Sequence, residues 1–203
     1  RLPKAYNYSS VDDIQIISPS RKGVVGVIEL NKVLQAQLNP ASTMKKEARS
    51  VIYTFREGDK IMQTKNNYDI VWSKDGEQGA GIYNGDIGKI LSINRQRMEA
   101  VISFDGRNAV YTFDMLDQLE LAYAITVHKS QGSEFEAVIM PLMGGFEKLF
   151  YRNLLYTAVT RAKKLLIIIG TEEIITKMVV NNKRTNRYTC LTAMLREEIK
   201  PHE

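Results

Sequence analysis

The chain has 203 residues, of which 44% are hydrophobic and 25% are charged, and this composition is typical of an ordinary globular protein rather than a disordered one. Its longest apolar run, Leu165 to Ile169, is far shorter than the roughly 20 residues that cross a bilayer, and no apolar leader follows a basic N-terminus, so we expect a cytoplasmic protein without a membrane partner. A formal net charge of +5 suits contact with a polyanion, and the single cysteine, Cys190, excludes an internal disulfide framework.

The first block, from Asp13 to about Tyr53, has the pattern of a strand followed by a crossover helix. The strand ends at Ser18-Pro19, a glycine-containing turn follows at Gly23 to Gly26, and Asn39-Pro40 stops the helix. Apolar and amide side chains repeat along the helix about every 3.6 residues: Val27, Ile28, Leu30, Val33, Leu34, Gln37 and Leu38. Because the chain begins at Arg1 without an initiator methionine and enters the strand almost at once, we expect it to be part of a longer protein.

The middle block, from about Phe55 to Leu119, loses the helical period and alternates short β-type runs with polar turns. We predict strands at Lys60–Thr64, Gly88–Ile93, Ala100–Phe104 and Ala109–Phe113. The turns between them are Asn66-Asn67-Tyr68-Asp69, Asn84-Gly85-Asp86 and Asp105-Gly106-Arg107, of which Asp105-Gly106 is a strong hairpin signal. Several short strands in so few residues predict a small β-barrel inserted into a larger domain.

From Leu121 the α/β pattern resumes. We predict strands at Tyr123–Val127, Ala137–Met140 and Leu165–Ile169, and a helix at Arg152–Lys163. Runs of branched apolar residues are what a parallel strand covered by helices on both faces requires. The predicted fold class is therefore α/β, with a parallel sheet in residues 1–54 and 120–203 that is interrupted by an all-β barrel in residues 55–119.

The richest polar segment follows the strand that ends at Val127. Such positions, at the carboxyl ends of strands in open α/β sheets, are where these folds bind ligands. Gly132 permits close backbone approach, and Glu134 can accept a hydrogen bond from a sugar hydroxyl. The segment offers several donors in one turn: Thr126, His128, Lys129, Ser130 and Gln131. The alternative is a solvated loop with a helix cap at Ser130 or Ser133.

The helix predicted at Arg152–Lys163 carries a second candidate group, Arg161. The apolar face of this helix is formed by Leu154, Leu155, Ala158, Val159 and Ala162. On a helical wheel Arg161 lies at the border of that face, where its guanidinium could enter a cleft and stabilise phosphoryl charge. The alternative is a cation at a solvent-facing helix end.

Together these segments resemble the RecD/TraA branch of the superfamily-one helicases. Residues 128–135 look like helicase motif V, and residues 156–162 look like motif VI, in the right order and with a strand between them. The region of Ser18 to Pro40 is similar to motif IV of that branch. Residues 58–88 resemble its inserted Src-homology-3-like barrel, so that the resemblance covers the chain from about Ile14 to Gly170.

The resemblance implies a RecA-like, P-loop NTPase-type motor domain and a role for each matching residue. Arg161 would reach the γ-phosphate of ATP as a catalytic arginine, with Arg21 as its less certain partner. Gly132 and Glu134 would face the nucleotide, with Glu134 near the ribose. The residues expected to face single-stranded DNA in the same loop are Thr126, His128 and Ser130.

The barrel is a second candidate DNA surface. The residues expected to contribute donors and one stacking ring are Gln63, Lys65, Asn66, Asn67 and Tyr68. The alternative for residues 66–69 is a simple turn. Trp72 could either stack on a base or fill the barrel, and the C-terminal cations Lys183, Arg184, Arg187 and Arg196 could line a DNA-facing edge or a solvated helix face.

The sequence contains no G-x-x-x-x-G-K-[ST] segment, because Gly88-Lys89 is followed by Ile90. The resemblance implies ATP with Mg²⁺ as cofactor, and we expect both to be held mainly by an upstream RecA-like domain of the same protein. Alone, this chain should therefore hydrolyse ATP negligibly. The implied partners are single-stranded DNA, duplex DNA ends and the subunits of a helicase-nuclease complex, in DNA repair and recombination with 5′ to 3′ translocation.

Two other functions remain open from the sequence. A non-catalytic single-strand-binding module would account for the basic charge and the barrel but not for Arg161 and Glu134 in nucleotide-type motifs. The helicase part of a conjugative relaxase would share all these motifs, and a histidine-rich nicking site upstream would distinguish it. No constellation of a nuclease type is visible in the residues.

Overall fold

A computed structural model describes residues 2–143 and 149–182, together with Met194. The sequence elements are, in chain order, α1 (Leu2–Tyr6), β1 (Ile14–Ser18), α2 (Val27–Leu38), β2 (Glu47–Arg49), β3 (Thr54–Arg56), β4 (Lys60–Gln63), β5 (Asn67–Lys74), β6 (Glu77–Ile82), β7 (Ile87–Asn94), β8 (Glu99–Phe104), β9 (Arg107–Thr112), a 3-10 helix (Phe113–Gln118), β10 (Leu119–Leu121), β11 (Ala124–Thr126), β12 (Phe135–Leu142), α3 (Arg152–Val159), β13 (Ala162–Gly170) and α4 (Glu172–Val180). Cys190 and the C-terminal cations Lys183, Arg184, Arg187 and Arg196 lie outside the described residues.

The first layer is a four-stranded parallel sheet in the order β11-β1-β12-β13. Ile17, Val138 and Met140 on one face of this sheet pack with α3 and α4 in a single apolar core. Ile16 on the other face lies beside Leu34 of α2. Helices therefore cover both faces, as predicted, and the inner strand β12 buries residues on its two sides.

The second layer is a seven-stranded antiparallel sheet in the order β10-β4-β7-β8-β9-β5-β6. Its strands enclose a separate core of isoleucines and aromatic rings, including Phe104 and Tyr111, whose ring centroids are 6.0 Å apart. The hairpin between β8 and β9 turns at Asp105-Gly106, where both residues have positive φ and Phe104 pairs with Arg107. This confirms the predicted hairpin, since a two-residue turn with two positive φ angles matches the twist of the strands.

Two predictions about local structure were wrong. Residues 66–69 do not form a turn, because Asn67, Tyr68 and Asp69 begin strand β5, which pairs with β6. The predicted helix Arg152–Lys163 ends at Val159. The helix stops there because the following segment is drawn into strand β13, which begins at Ala162 and pairs with β12.

The two layers are joined through a buried carboxylate, Asp59, which precedes β4. Its two oxygens accept four hydrogen bonds, from Gln35 Nε2 (2.6 Å), Asn39 Nδ2 (2.6 Å), the Arg56 backbone N–H (2.7 Å) and Tyr123 Oη (2.9 Å). Burial raises the pKa of Asp59, and the hydrogen bonds partly oppose that rise. Asp59 thereby ties helix α2 of the parallel layer to the start of the antiparallel layer.

No helix among the described residues is long and apolar enough to cross a membrane.

Candidate nucleotide and nucleic-acid interface

The polar loop, residues 126–134, leaves the carboxyl end of β11 and returns to the start of β12. The backbone N–H groups of Lys129 and Ser130 donate to the Thr126 carbonyl oxygen (3.0 and 3.1 Å), which closes a tight turn. The Ser130 side chain is fully buried and its hydroxyl donates to the Val127 carbonyl (2.8 Å). Ser130 therefore maintains the shape of the loop, and its burial does not support the direct DNA contact predicted for it.

The exposed part of the polar loop contains the other predicted residues. His128 and Glu134 are exposed, and Thr126 is half-buried. Gly132 has a φ of +84° and a Cβ at this position would meet no atom within 4 Å, so that its backbone faces open space. A ligand can therefore approach the loop backbone at Gly132 without steric hindrance.

Arg161 lies in the turn between α3 and β13, so the prediction that it lies within the helix, at the border of the apolar face, was wrong. Its guanidinium donates to the carbonyl of Ser133 in the polar loop (Nη1, 3.0 Å) and to the carbonyl of Thr157 in α3 (Nε, 3.2 Å). Its own carbonyl accepts from the Phe135 N–H (2.9 Å). The arginine thus joins the two segments that the sequence singled out.

The surroundings of Arg161 suit an anionic ligand. Its guanidinium contacts carbonyl oxygens and the Thr160 hydroxyl, and no carboxylate lies within ion-pair distance of it in the described part of the chain. A cation that is half-buried and held only by neutral acceptors retains the capacity to bind phosphate. These residues fit the phosphate side of a nucleotide, whereas the residues described contain no cluster of acidic or histidine side chains that could hold a metal ion.

Arg21, the second predicted ATP residue, forms a different contact. Its guanidinium pairs with Glu120 of β10 at 2.5 Å, and about half of its side chain is exposed. The turn that carries it is tightly closed, because a Cβ on Gly26 would lie 2.4 Å from the Lys22 carbonyl carbon. Arg21 is therefore placed between the two layers, and contact with a nucleotide would require its ion pair to open.

The predicted DNA residues of the barrel divide into two groups. Lys65, Asn66 and Tyr68 are exposed, and Asn67 is half-buried with its amide donating to Gln118 (3.1 Å). Gln63 is fully buried and accepts a hydrogen bond from Tyr111, so the prediction of a phosphate contact by Gln63 was wrong.

Trp72 is half-buried against the core of the barrel, with the Arg107 guanidinium 5.8 Å from its ring centroid. Its indole ring also fills the space beside Gly79, where a Cβ would lie 2.3 Å from a ring carbon. The ring therefore packs on the barrel wall, which leaves little of it free for a base.

One feature of the interface was not predicted. The ammonium group of Lys129 in the polar loop donates to the side-chain oxygen of Asn84, in the turn between β6 and β7. Tyr83, next to Asn84, lies edge-on to Tyr68 with ring centroids 5.7 Å apart. Both rings are partly exposed, so the polar loop and an aromatic pair on the barrel belong to one surface.

The structure thus combines a parallel sheet, whose polar loop is bridged by an arginine, with an antiparallel barrel inserted between the strands of that sheet. Residues 30–104 match the family model of the ATP-dependent RecD-like DNA helicase SH3 domain, and residues 121–169 match that of the UvrD-like helicase C-terminal domain. The chain belongs to the RecD-like branch of the superfamily-one helicases, as its motifs predicted.

Curated relatives agree with this assignment. The chain is 35% identical over 158 residues to the ATP-dependent RecD2 DNA helicase of Deinococcus radiodurans, and the matched region covers 78% of the chain and 20% of that protein. It is 31% identical over 165 residues to the RecBCD enzyme subunit RecD of Mycobacterium tuberculosis, and the matched region covers 81% of the chain and 26% of that protein. The chain thus spans about a fifth to a quarter of the length of these relatives.

Solved helicase structures share the fold. The Pif1 helicase from Bacteroides in complex with ADP-AlF3 and ssDNA superimposes with a TM-score of 0.56 at 15% identity, over 96% of this chain and 47% of that one. The Pif1 helicase from Candida albicans gives a TM-score of 0.54 at 14% identity, over 94% of this chain and 50% of that one.

Proposed function

We propose that this chain is the second motor domain of an ATP-dependent DNA helicase, which couples ATP hydrolysis to translocation on single-stranded DNA and to duplex unwinding. The observation that carries the proposal is the bridge from Arg161 to the Ser133 carbonyl, because it places an unpaired cation beside an exposed loop at the edge of a parallel sheet. We propose residues 1–54 and 120–203 as the motor domain and residues 55–119 as the inserted barrel.

The nucleotide side of the site would be shared with an upstream RecA-like domain of the same protein, which would hold the phosphate-binding loop and Mg²⁺. When bound between the two domains, ATP supplies the phosphoryl transfer to water that drives the motor. Arg161 would stabilise the negative charge that develops on the transferred phosphoryl group. Gly132 would allow close backbone approach, and Glu134 would accept a hydrogen bond from the ribose.

Arg21 would assist only after its ion pair with Glu120 opens. An exposed pair of this kind contributes about 0–1 kcal/mol, so a bound phosphate could compete for the guanidinium. We therefore assign Arg161 the principal role and Arg21 a conditional one.

The DNA side of the site would lie on the other half of the polar loop and on the barrel. Thr126 and His128 would contact the strand from the loop, while Lys65, Asn66, Asn67 and Tyr68 would contact it from the barrel. Exposed amide and ammonium groups suit phosphate contacts, and an exposed tyrosine ring suits base stacking. Because one loop faces both ligands, binding of nucleotide can alter the grip on DNA.

Duplex DNA ends and the subunits of a helicase-nuclease complex are proposed as further partners, since one relative is a RecBCD enzyme subunit. The competing function is a single-strand-binding module without catalysis. The motif context favours the motor, because a module that only binds DNA does not account for Arg161 and Glu134 in nucleotide-type motifs. The helicase part of a conjugative relaxase remains an alternative setting for the same motor domain.

The test is the ATPase activity of the full-length natural protein, with and without single-stranded DNA. Arg161→Ala should lower DNA-stimulated turnover by about 10³-fold or more, as loss of an arginine finger does, while DNA binding persists. Arg161→Lys should restore little activity, because lysine lacks the guanidinium fork. Lys163→Ala is the control, since Lys163 is a nearby exposed cation with no role in the site.

Unchanged turnover in Arg161→Ala would remove the motor assignment in favour of the binding module. Purified as the 203-residue chain alone, the protein should hydrolyse ATP negligibly, and robust turnover by this chain would also contradict the proposal.

A further inference from the structure

The contact between Lys129 and Asn84 joins two segments that are 45 residues apart in sequence. Lys129 belongs to the polar loop, and Asn84 belongs to the turn between β6 and β7 of the barrel. We call this pair the latch. The latch is not part of the predicted nucleotide site. The buried Asp59 already joins the parallel and antiparallel layers, so the latch has no evident role in holding the fold together.

On the barrel side, the latch continues into the exposed aromatic pair. The Asn84 backbone N–H donates to Asn66 Oδ1 (2.9 Å), and Asn66 Nδ2 donates to the Tyr68 hydroxyl (3.3 Å). Tyr68 in turn packs edge-on to Tyr83, and the two side chains are 65% and 43% exposed. A continuous line of contacts therefore runs from Lys129 to two rings that are free to stack on bases.

On the loop side, the latch lies close to the predicted nucleotide residues. The Lys129 N–H is held by the carbonyl of Thr126, and four residues further on the Ser133 carbonyl accepts from Arg161. Only the exposed residues 131 and 132 separate Ser133 from the buried Ser130, which is next to Lys129, so a nucleotide that moves this part of the loop enough to shift Ser130 would also displace Lys129.

An exposed hydrogen bond between a lysine and an amide contributes little to folding, because water competes for both groups. It can therefore form and break without loss of the fold. Such a contact is suited to transmit a small movement between two bodies that are fixed to each other elsewhere, which here is at Asp59.

We infer that Lys129 and Asn84 are positioning residues, which couple the nucleotide state of the polar loop to the placement of the Tyr68 and Tyr83 rings on single-stranded DNA. This inference rests on the proposed function. The rings would contact the strand, and the latch would set their position according to whether ATP is bound. Loss of the latch would uncouple the two ligands without removing either site.

The test measures the affinity of the full-length protein for a fluorescein-labelled oligothymidylate by anisotropy, without nucleotide and with a non-hydrolysable ATP analogue. The ratio of the two dissociation constants reports the coupling, which is typically 5–150-fold in coupled systems. Asn84→Ala and Lys129→Met should each bring this ratio to within about twofold of one, and the double variant should add nothing further. Asn108→Ala and Lys89→Met, at exposed barrel positions, are the matched controls and should keep the wild-type ratio.

The outcomes separate the inference from the proposed function. If the wild-type ratio is one, the coupling inference is overturned, while the proposed function is decided separately by the ATPase activity of Arg161→Ala. If the wild-type protein shows coupling and both latch variants keep it, the inference is overturned and the proposed function stands. If the latch variants weaken DNA binding equally in the two nucleotide states, the residues only contact DNA and the coupling role is likewise overturned. A thermal unfolding midpoint within a few degrees of wild type confirms that each variant is folded.

Discussion

Replacement of Asp59 by alanine would test whether the buried carboxylate holds the two layers together. The change removes one acceptor from each of four donors, on Gln35, Asn39, Tyr123 and the Arg56 backbone. Of these, Gln35 Nε2 and Asn39 Nδ2 also donate to the Thr54 and Glu57 carbonyls. Each buried donor left unpaired costs about 1–3 kcal/mol. Water can enter part of the space that the carboxylate leaves, so we take the low end of that range for each donor. The expected loss is then about 4 kcal/mol of the free energy of unfolding, out of the roughly 5–15 kcal/mol of a typical domain.

The assay is urea unfolding of the 203-residue chain, followed by fluorescence of its single tryptophan, Trp72, which lies on the barrel. Asp114→Ala is the control, because Asp114 is an exposed carboxylate at the start of the 3-10 helix and its loss should cost about 0.5 kcal/mol or less. A loss below about 1 kcal/mol for Asp59→Ala would refute the reasoning, since it would mean that the four donors find other acceptors. An unfolding transition that splits in two would support the view that Asp59 couples the layers.

Two further predictions concern stability. Burial lowers the pKa of Lys60 to about 8, so between about pH 8 and 10.5 the unfolded chain binds more protons than the folded one and stability rises with pH. At pH 7 we expect the free energy of unfolding of Lys60→Met to be about 2 kcal/mol higher than that of wild type, because removal of the buried charge outweighs loss of the hydrogen bond from Lys60 Nζ to the Val11 carbonyl. In urea unfolding this advantage should shrink toward pH 10. An advantage that is constant with pH would contradict the prediction. Gly26→Ala should lower the free energy of unfolding by about 1–3 kcal/mol, because the added Cβ would clash with the Lys22 backbone. The cause is this clash and not the backbone conformation, since the φ of −74° at Gly26 is ordinary. An unchanged midpoint in thermal unfolding would show that the turn adapts.

The elements that the sequence predicted best are those with one dominant physical cause. Branched apolar runs predicted β12 and β13, of which β12 is buried on both faces and β13 is mostly half-buried. The 3.6-residue repeat predicted α2 with both ends correct. Asp105-Gly106 predicted the hairpin between β8 and β9, because this dipeptide adopts the two positive φ angles of the turn.

The hairpin of β5 and β6 was missed although the same signal was present. Asp75-Gly76 connects these strands and has the same pair of positive φ angles as Asp105-Gly106. The flanking residues hid it, because Asn67 and Asp69 favour turns and Gly79 and Gly81 lower the β-propensity of β6. Tertiary pairing overrides these local preferences, since β5 also pairs with β9.

The candidate site was predictable as a set of residues but not as an arrangement. The polar loop and Arg161 were found from motifs, whereas the contacts of Asp59 with Tyr123 and of Lys129 with Asn84 join residues far apart in sequence. No periodicity carries information on such pairs. The burial of Ser130 was not predicted, because a polar side chain in a polar segment is expected to be exposed. In the structure its hydroxyl donates to the Val127 carbonyl and the residue is buried.

The position of Arg161 follows from strand pairing rather than from the helix that precedes it. Its carbonyl accepts from the Phe135 N–H where β12 and β13 begin to pair, and its guanidinium reaches the Ser133 carbonyl two residues earlier. The backbone and the side chain of one residue therefore hold the same end of the polar loop, while Ser130 holds the other end. Residues 131 and 132, between Ser130 and Ser133, are exposed, and a Cβ at Gly132 would meet no atom within 4 Å. A ligand that draws the guanidinium away from Ser133 would release that end of the loop, so that phosphate binding would change the loop position through a single side chain.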